Sequence, residues 1–472
     1  MYAASSTVQD EEEAMLSYAS REKAVQHISR GWKSTVRSLS LRRIPRQLWT
    51  VMKPSFLSRN TQQPAPIHEV APLKQKRGTE YLDGIRGVAS LIVFILHWSH
   101  TCYPSVNSGW GYKGNTSFWL LPFIRLIFSG AAMVAVFFVV SGFVLTHRFI
   151  QRMYKLEYNE LFSGLTSLTF RRAIRLYLPS FASSTLAFIC VCLGLVSVPS
   201  KVDGKRFHHD FHAYLDYLDA ESNPWGWDAT FNGFYNPQLW SIAVEFRGSM
   251  VVFLLVLGLA KARASVRMIV ESFILAHSFA HKRWDVALFI AGMVLAEIEV
   301  WASKVNISRT KLVNAFLIVA LVLGLYLCGY PRDGATSTPG YMWSQEIWPY
   351  TAYRRRFWLA IGAILSVGAV VFMPTVQVIF LTRPATYLGQ ISFSLYLVHG
   401  LGNRTIGKWL IQGCWSYIGN EGFWPYTWSF VVSTVLYFPI VIWASDMFWR
   451  TIDLPSTRFA KWLEQACGPV AS

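Results

Sequence analysis

The chain has 472 residues, of which 53% are hydrophobic, 15% aromatic and 15% Asp, Glu, Lys or Arg. A soluble domain usually carries about 25% charged residues, so the composition excludes an ordinary soluble enzyme and indicates a polytopic membrane protein. The formal net charge of +17 does not point to nucleic acid, because Lys and Arg gather in flanks and loops between apolar runs, where cytoplasmic segments meet anionic membrane lipids.

Residues 1–80 read as a polar, basic, cytoplasmic extension. Between Arg21 and Arg77, thirteen Lys or Arg stand against two acids, Glu22 and Glu69. Lys33–Leu57 mixes large apolar residues with Arg and Lys. It reads either as an amphipathic helix on the membrane surface or, given Pro45, Pro54, Pro64 and Pro66, as part of a disordered tail. The first residues lack the basic start and apolar core of a signal peptide. The six cysteines form no CxxC and no disulfide framework.

Apolar runs of about the ~20 residues that cross a bilayer core as a helix then recur. They are expected at Ile85–Tyr103, Leu120–Thr146, Ser180–Val198, Leu239–Ala260, Val266–Ala280, Val286–Trp301, Leu312–Gly329, Phe357–Leu381, Tyr387–Ile411 and Trp428–Met447. The fifth is short and contains Arg267, Glu271 and His277, so its crossing is open. Lipid offers backbone groups no partner, so every span should be helical. The fold class is therefore all-α: a bundle of about ten transmembrane helices over residues 81–455, with a C-terminal tail at 456–472. No internal repeat is visible.

Lys and Arg bias sets the orientation. The N-terminal extension and the Arg148–Arg175 loop are basic, whereas Lys201–Asp228 carries six acids against three basic residues. The N-terminus is thus expected in the cytoplasm and the acidic loop outside or in a lumen. The sequon at Asn115 falls on that outer side, a candidate glycosylation site; Asn306 and Asn403 begin two further sequons. Arg354, Arg355 and Arg356 lie outside in a ten-span topology and inside if the fifth span does not cross.

The stretch YLDGIRGVASLIVFILHWSH, residues 81–100, puts Asp83, Arg86, His97 and His100 on an apolar helix. Ionisable groups at such depth are expensive and mark functional sites by default. Arg86 and His97 are eleven residues apart, about three turns, so they share a face some ~16 Å apart along the axis. A cation at the mouth and a proton acceptor inside suit an anionic cofactor whose reactive end is inserted. The bland alternative is a snorkelling Arg and a structural His.

This stretch resembles the opening of the acyltransferase-3 family of integral membrane acyltransferases, with its Arg, ten residues and His. Four further segments agree in order: FFVVSGFVL (137–145), FRRAIRLYLP (170–179), QLWSIAVEF (238–246) and LGQISFSLYLVH (388–399). The resemblance covers Tyr81 to Pro455 and is strongest to fungal members. It implies acyl transfer, commonly of acetyl from acetyl-CoA and without a metal, to a hydroxyl. The family's catalytic pair falls on Arg86 and His97. His97 then acts as general base, and Arg86 binds cofactor phosphate or developing negative charge, oriented by Asp83.

Arg171, Arg172 and Arg175 are candidates for a clamp on the CoA phosphates, or else a topology signal. Glu245 needs a partner in the membrane, for which Arg86, Arg247 and His97 are candidates. Its expected role is a helix-to-helix tie or the orienting of His97. Ser141 and Gly142 suit close helix packing, with Ser141 also a candidate for the substrate cavity beside Tyr396 and His399. The expected acceptor is a small lipophilic metabolite of secondary metabolism or a glycan. GxSxG, P-loop and HExxH motifs are absent from the sequence. Two other classes compete: a proton-coupled transporter using the same buried ionisable groups, and a carrier passing acyl groups to a partner across the membrane.

Overall fold

In a computed structural model of the chain, residues 54–55, 78–196, 207–226, 233–305, 310–347 and 351–468 are described. The stretch Lys33–Leu57 lies outside them, apart from Pro54 and Ser55, and so does the sequon at Asn306. Everything below concerns the unit Ile67–Ser472. Its main elements are α1 (Glu80–Cys102), α2 (Gly130–Lys155), α3 (Tyr158–Cys192), α4 (Phe207–Ser222), α5 (Trp240–Leu259), α6 (Ala264–Ala280) and α7 (Trp284–Val305). They continue with α8 (Lys311–Cys328), α9 (Thr351–Phe372), α10 (Pro374–Phe380), α11 (Arg383–Gly402), α12 (Lys408–Ile418), α13 (Phe423–Phe448) and α14 (Leu454–Cys467).

Among the described residues, eight helices are long and apolar enough to cross a membrane, in keeping with an all-α polytopic bundle. The fifth and ninth expected spans, α6 and α11, fall outside that set, α6 because it has only 17 residues and α11 because polar residues dilute it. Several boundaries move for local reasons. The second span starts at Gly130 rather than Leu120, because residues 118–128 turn in short 3-10 segments around Pro122. Gly130 then brings α2 against Val93 and Leu96 of α1. The eighth span ends at Phe372, where Pro374 starts a separate short helix, α10. The third extends inward to Tyr158 with Pro179 inside it. Residues 456–467, read as tail, are helical in α14.

Close helix contacts rest on small residues. A Cβ on Gly142 would stand 2.1 Å from the Phe289 carbonyl oxygen, and one on Gly292 would meet the Val139 carbonyl at the same distance. Only hydrogen fits there, so α2 and α7 approach backbone to backbone. Gly87 meets Gly389 in the same way between α1 and α11.

Buried ion pairs fix the rest. Arg267 of α6 bonds Glu297 of α7 at 2.5 Å, both nearly fully buried, which explains how the charged fifth span is held in the bundle. Its crossing follows from topology. The loop after α1 meets the loop after α8, with the Arg332 and Asp333 amides donating to the Asn107 carbonyl at 3.0 and 3.1 Å. Both loops therefore lie on one side, called outer here. This requires α6 to traverse, as α5, α7 and α8 do. Arg355 shares a cavity with Asn107 and Arg125, so the start of α9 is on the outer side too.

On that side α4 packs its tyrosines Tyr214 and Tyr217 with Phe188 of α3 and Tyr235. Glu221 of α4 is buried, accepts from the Ser184 hydroxyl at 2.7 Å and leaves Oε1 unpartnered. Burial pushes its carboxyl up to about 7. Asn403, head of the third sequon, is buried and accepts from the Tyr437 hydroxyl at 2.9 Å, which removes it from any surface chemistry.

Candidate active site

The residues at 86, 90, 93, 97 and 100 form one stripe on α1, since steps of three and four residues return to the same face of a helix. The flanks of the stripe are occupied. On one side Gly87 meets Gly389 of α11, and on the other Val93 and Leu96 meet Gly130 of α2. Arg86 and His97 therefore look between α2 and α11, His97 toward the buried His399. His97 is accessible although Trp98 and Ser99 beside it are buried. Its ring lies 5.3 Å from that of His399, which is only 1% exposed. The Leu395 carbonyl accepts from His399 Nδ1 at 2.9 Å. A carbonyl can only accept, so this contact puts the proton of a neutral His399 on Nδ1 and leaves Nε2 as its free lone pair.

Below the histidines, Tyr396 ties α11 to α5. Its hydroxyl donates to the Gln238 carbonyl and lies 2.6 Å from the Ser241 hydroxyl. Phe137 of α2 faces the same ring at 6.4 Å. Ser141, one turn further on this face of α2, is half-buried and sits toward the Arg86 end. Glu245 accepts from Arg172 at 2.9 Å, and Arg172 also donates to the Ser249 hydroxyl at 2.9 Å. The Glu245 partner is thus Arg172, not Arg86, Arg247 or His97; Arg247 bonds Asp285 of α7. The tie it makes joins α3 to α5.

The three arginines of α3 diverge. Arg171 is engaged by Glu464 of α14 at 3.0 Å and Arg172 by Glu245. Arg175 makes no hydrogen bond among the described residues, is accessible, and feels the charges of Arg172, Asp453, Arg86 and Arg171. Positions 171 and 175 are four apart and 172 is a quarter turn or so away, a spacing that separates Arg172 from the other two. Arg86 is one-third exposed, and its Nε has no partner among the described residues. Asp83 is 3.9 Å from Arg86 and 67% exposed, too far for a hydrogen bond, so its hold on Arg86 is weak. Asn115 accepts from the Ser117 amide in the outer loop at 3.0 Å, an accessible Asx turn. Asp453, Glu464 and Ser249 had no motif to announce them; each was recognisable only through the arginine it faces.

Contacts thus join all five sequence segments: His97 with His399, Phe137 with Tyr396, Tyr396 with Ser241, and Arg172 with Glu245. A family described as an acyltransferase domain matches residues 79–450. The chain belongs to the acyltransferase-3 family. Similar proteins are fungal. O-acetyltransferase PaAT-1 of Phomopsis amygdali is 25% identical over 454 residues, covering 88% of each chain. Acyltransferase clz18 of Cochliobolus lunatus is 24% identical and acyltransferase R4 of a Phoma species 23%, each matched over 83% of this chain and 97% of its own. No solved structure matches at a significant level. An integral, multi-pass membrane acyltransferase is the activity that membership brings.

Proposed function

We propose that the protein is an O-acyltransferase that moves an acyl group, acetyl in the first instance, from acyl-CoA to a hydroxyl of a small lipophilic metabolite. The reading is supported above all by Arg86 and His97 sharing one interior face with Arg175 opposite the Arg86 end. An alcohol attacks a thioester poorly until a base takes its proton. His97, accessible inside the bundle, takes that proton as the alcohol oxygen bonds to the thioester carbonyl carbon. Collapse of the tetrahedral adduct breaks the carbon–sulfur bond, and the thiolate recovers the proton from His97. The ~16 Å rise between Arg86 and His97 is too long for one guanidinium to reach the carbonyl that His97 serves. Arg86 is therefore assigned to the donor's phosphates, with Arg175, whose guanidinium is unengaged; Arg171 and Arg172 hold that wall through Glu464 and Glu245. His399 positions His97. Ser141 and Tyr396 line the acceptor side.

The Arg86 end would face the cytoplasm, since acyl-CoA, a polyanion, does not cross lipid. Glycan attached at Asn115, lost in Asn115→Gln, would place the opposite end in the lumen. The activity itself is tested by incubating membranes containing the protein with labelled acetyl-CoA and an extract of hydroxylated metabolites. Label in a new ester is the expected result. Uptake of a metabolite without covalent change would overturn the reading in favour of a transporter.

A further inference from the structure

Away from the residues assigned to acyl transfer, the outer side holds a second group of cations. A cavity of about 10 Å³ there is lined by Asn107, Arg125, Tyr330, Arg332 and Arg355 among others. Arg125 is 3% exposed, and its Nε and Nη1 have no hydrogen-bond partner among the described residues. Arg355, half-buried, adds a second unpartnered Nε. Elsewhere in the bundle three buried arginines each face an acid, Arg172 with Glu245, Arg247 with Asp285 and Arg267 with Glu297, and buried Arg354 bonds Tyr330. Here the acid that both Arg125 and Arg355 sense is Asp333, which is exposed. A buried guanidinium stripped of water and left without an acceptor is unfavourable until an anion reaches it. Burial draws Arg125 down to about 10, which still leaves it charged at neutral pH.

We propose that this outer cavity is a small-anion site, in which Arg125 and Arg355, with Arg332 at the rim, hold one halide ion or one anionic oxygen. The size follows from the cavity, which accommodates about one water-sized occupant. The anionic oxygen can come from a free oxyanion or from the phosphate of a lipid headgroup. Its position suggests what it does. Asn107 bonds His100 at 3.0 Å, one turn from His97, and its carbonyl takes the Arg332 and Asp333 amides. An anion between Arg125, Arg332 and Arg355 therefore cross-links the loop after α1, the loop after α8 and the start of α9, above the outer end of the His97 stripe. The proposal stands on charge and burial, and does not depend on the donor or acceptor of acyl transfer.

The test uses the full chain in neutral detergent, with unfolding temperature followed as chloride replaces gluconate at constant ionic strength. Inorganic phosphate forms a second arm. Phosphatidylcholine nanodiscs with and without phosphatidylglycerol form a third. The expected result is a saturable rise with chloride whose half-saturating concentration increases at least tenfold in Arg355→Gln. Arg332→Gln, at the exposed rim, should shift it in the same direction and covers the case in which Arg125→Gln does not fold. A rise produced only by phosphatidylglycerol, and lost in the same variants, would support the site with a lipid phosphate as its occupant. No anion dependence, or dependence unchanged in both variants, would overturn the proposal.

Discussion

Glu245→Gln should cost the protein most of a buried ion pair. Glu245 and Arg172 sit 2.9 Å apart, with side chains 18% and 11% exposed. At an effective dielectric of ~20 their attraction is roughly 6 kcal/mol before desolvation is charged against it. Removing one partner leaves the other buried and uncompensated, for a net loss of about 3–5 kcal/mol. The double substitution Arg172→Met with Glu245→Leu removes both charges, so it should recover to within about 1–2 kcal/mol of the parent. Because the pair ties α3 to α5 and the proposed reaction gives it no contact with a reacting atom, the double variant should also keep measurable acyl transfer. Tryptophan fluorescence during denaturing-detergent titration in mixed micelles gives the stabilities, and the labelled-ester assay gives the activity. A single variant as stable as the parent would refute the tie, and a stable double variant devoid of activity would make Glu245 part of the chemistry.

Glu221 should impose a pH slope. Its carboxyl, at about 7 against an ordinary 4.5, is protonated in the folded chain and ionised in the unfolded chain between those values. Its contribution is thus full below pH 4.5 and lost as pH rises through 7, about 3 kcal/mol in all. Glu221→Gln should flatten that part of the stability profile, and an unchanged slope would dismiss Glu221 as its source. Gly142→Ala should push α2 from α7, since its Cβ has 2.1 Å of room; a loss of at least about 1–3 kcal/mol is expected in the same titration.

What could be read in advance was whatever lies within one helix. The face shared by Arg86 and His97 is fixed by spacing, and the interior location of that face agrees with the cost of placing charge in lipid. The order of the five segments also announced the family. Partnerships across helices were not readable. Nothing local to Glu245 selects Arg172 over Arg247, which is two residues away but turned toward Asp285. The crossing of α6 follows from two outer loops meeting at Asn107, and Arg267 meeting Glu297 holds it in the bundle; both are contacts between residues distant in sequence. Boundaries moved where a proline interrupted an apolar run, at Pro122 and Pro374, because hydropathy averages over such breaks. In the sequence Arg355 belongs to a basic run whose side charge alone leaves open; only folding sets it beside Arg125, which no motif marked.

The division of labour between the two ends of the α1 stripe is best tested by steady-state kinetics of Arg86→Ala and His97→Ala in purified, folded protein, with acetyl-CoA varied against saturating acceptor. Arg86→Ala should raise the KM for acetyl-CoA far more than it lowers kcat. His97→Ala should lower kcat by about 10²–10⁴-fold while donor binding persists. Parental kcat in His97→Ala, with folding verified, would contradict the account.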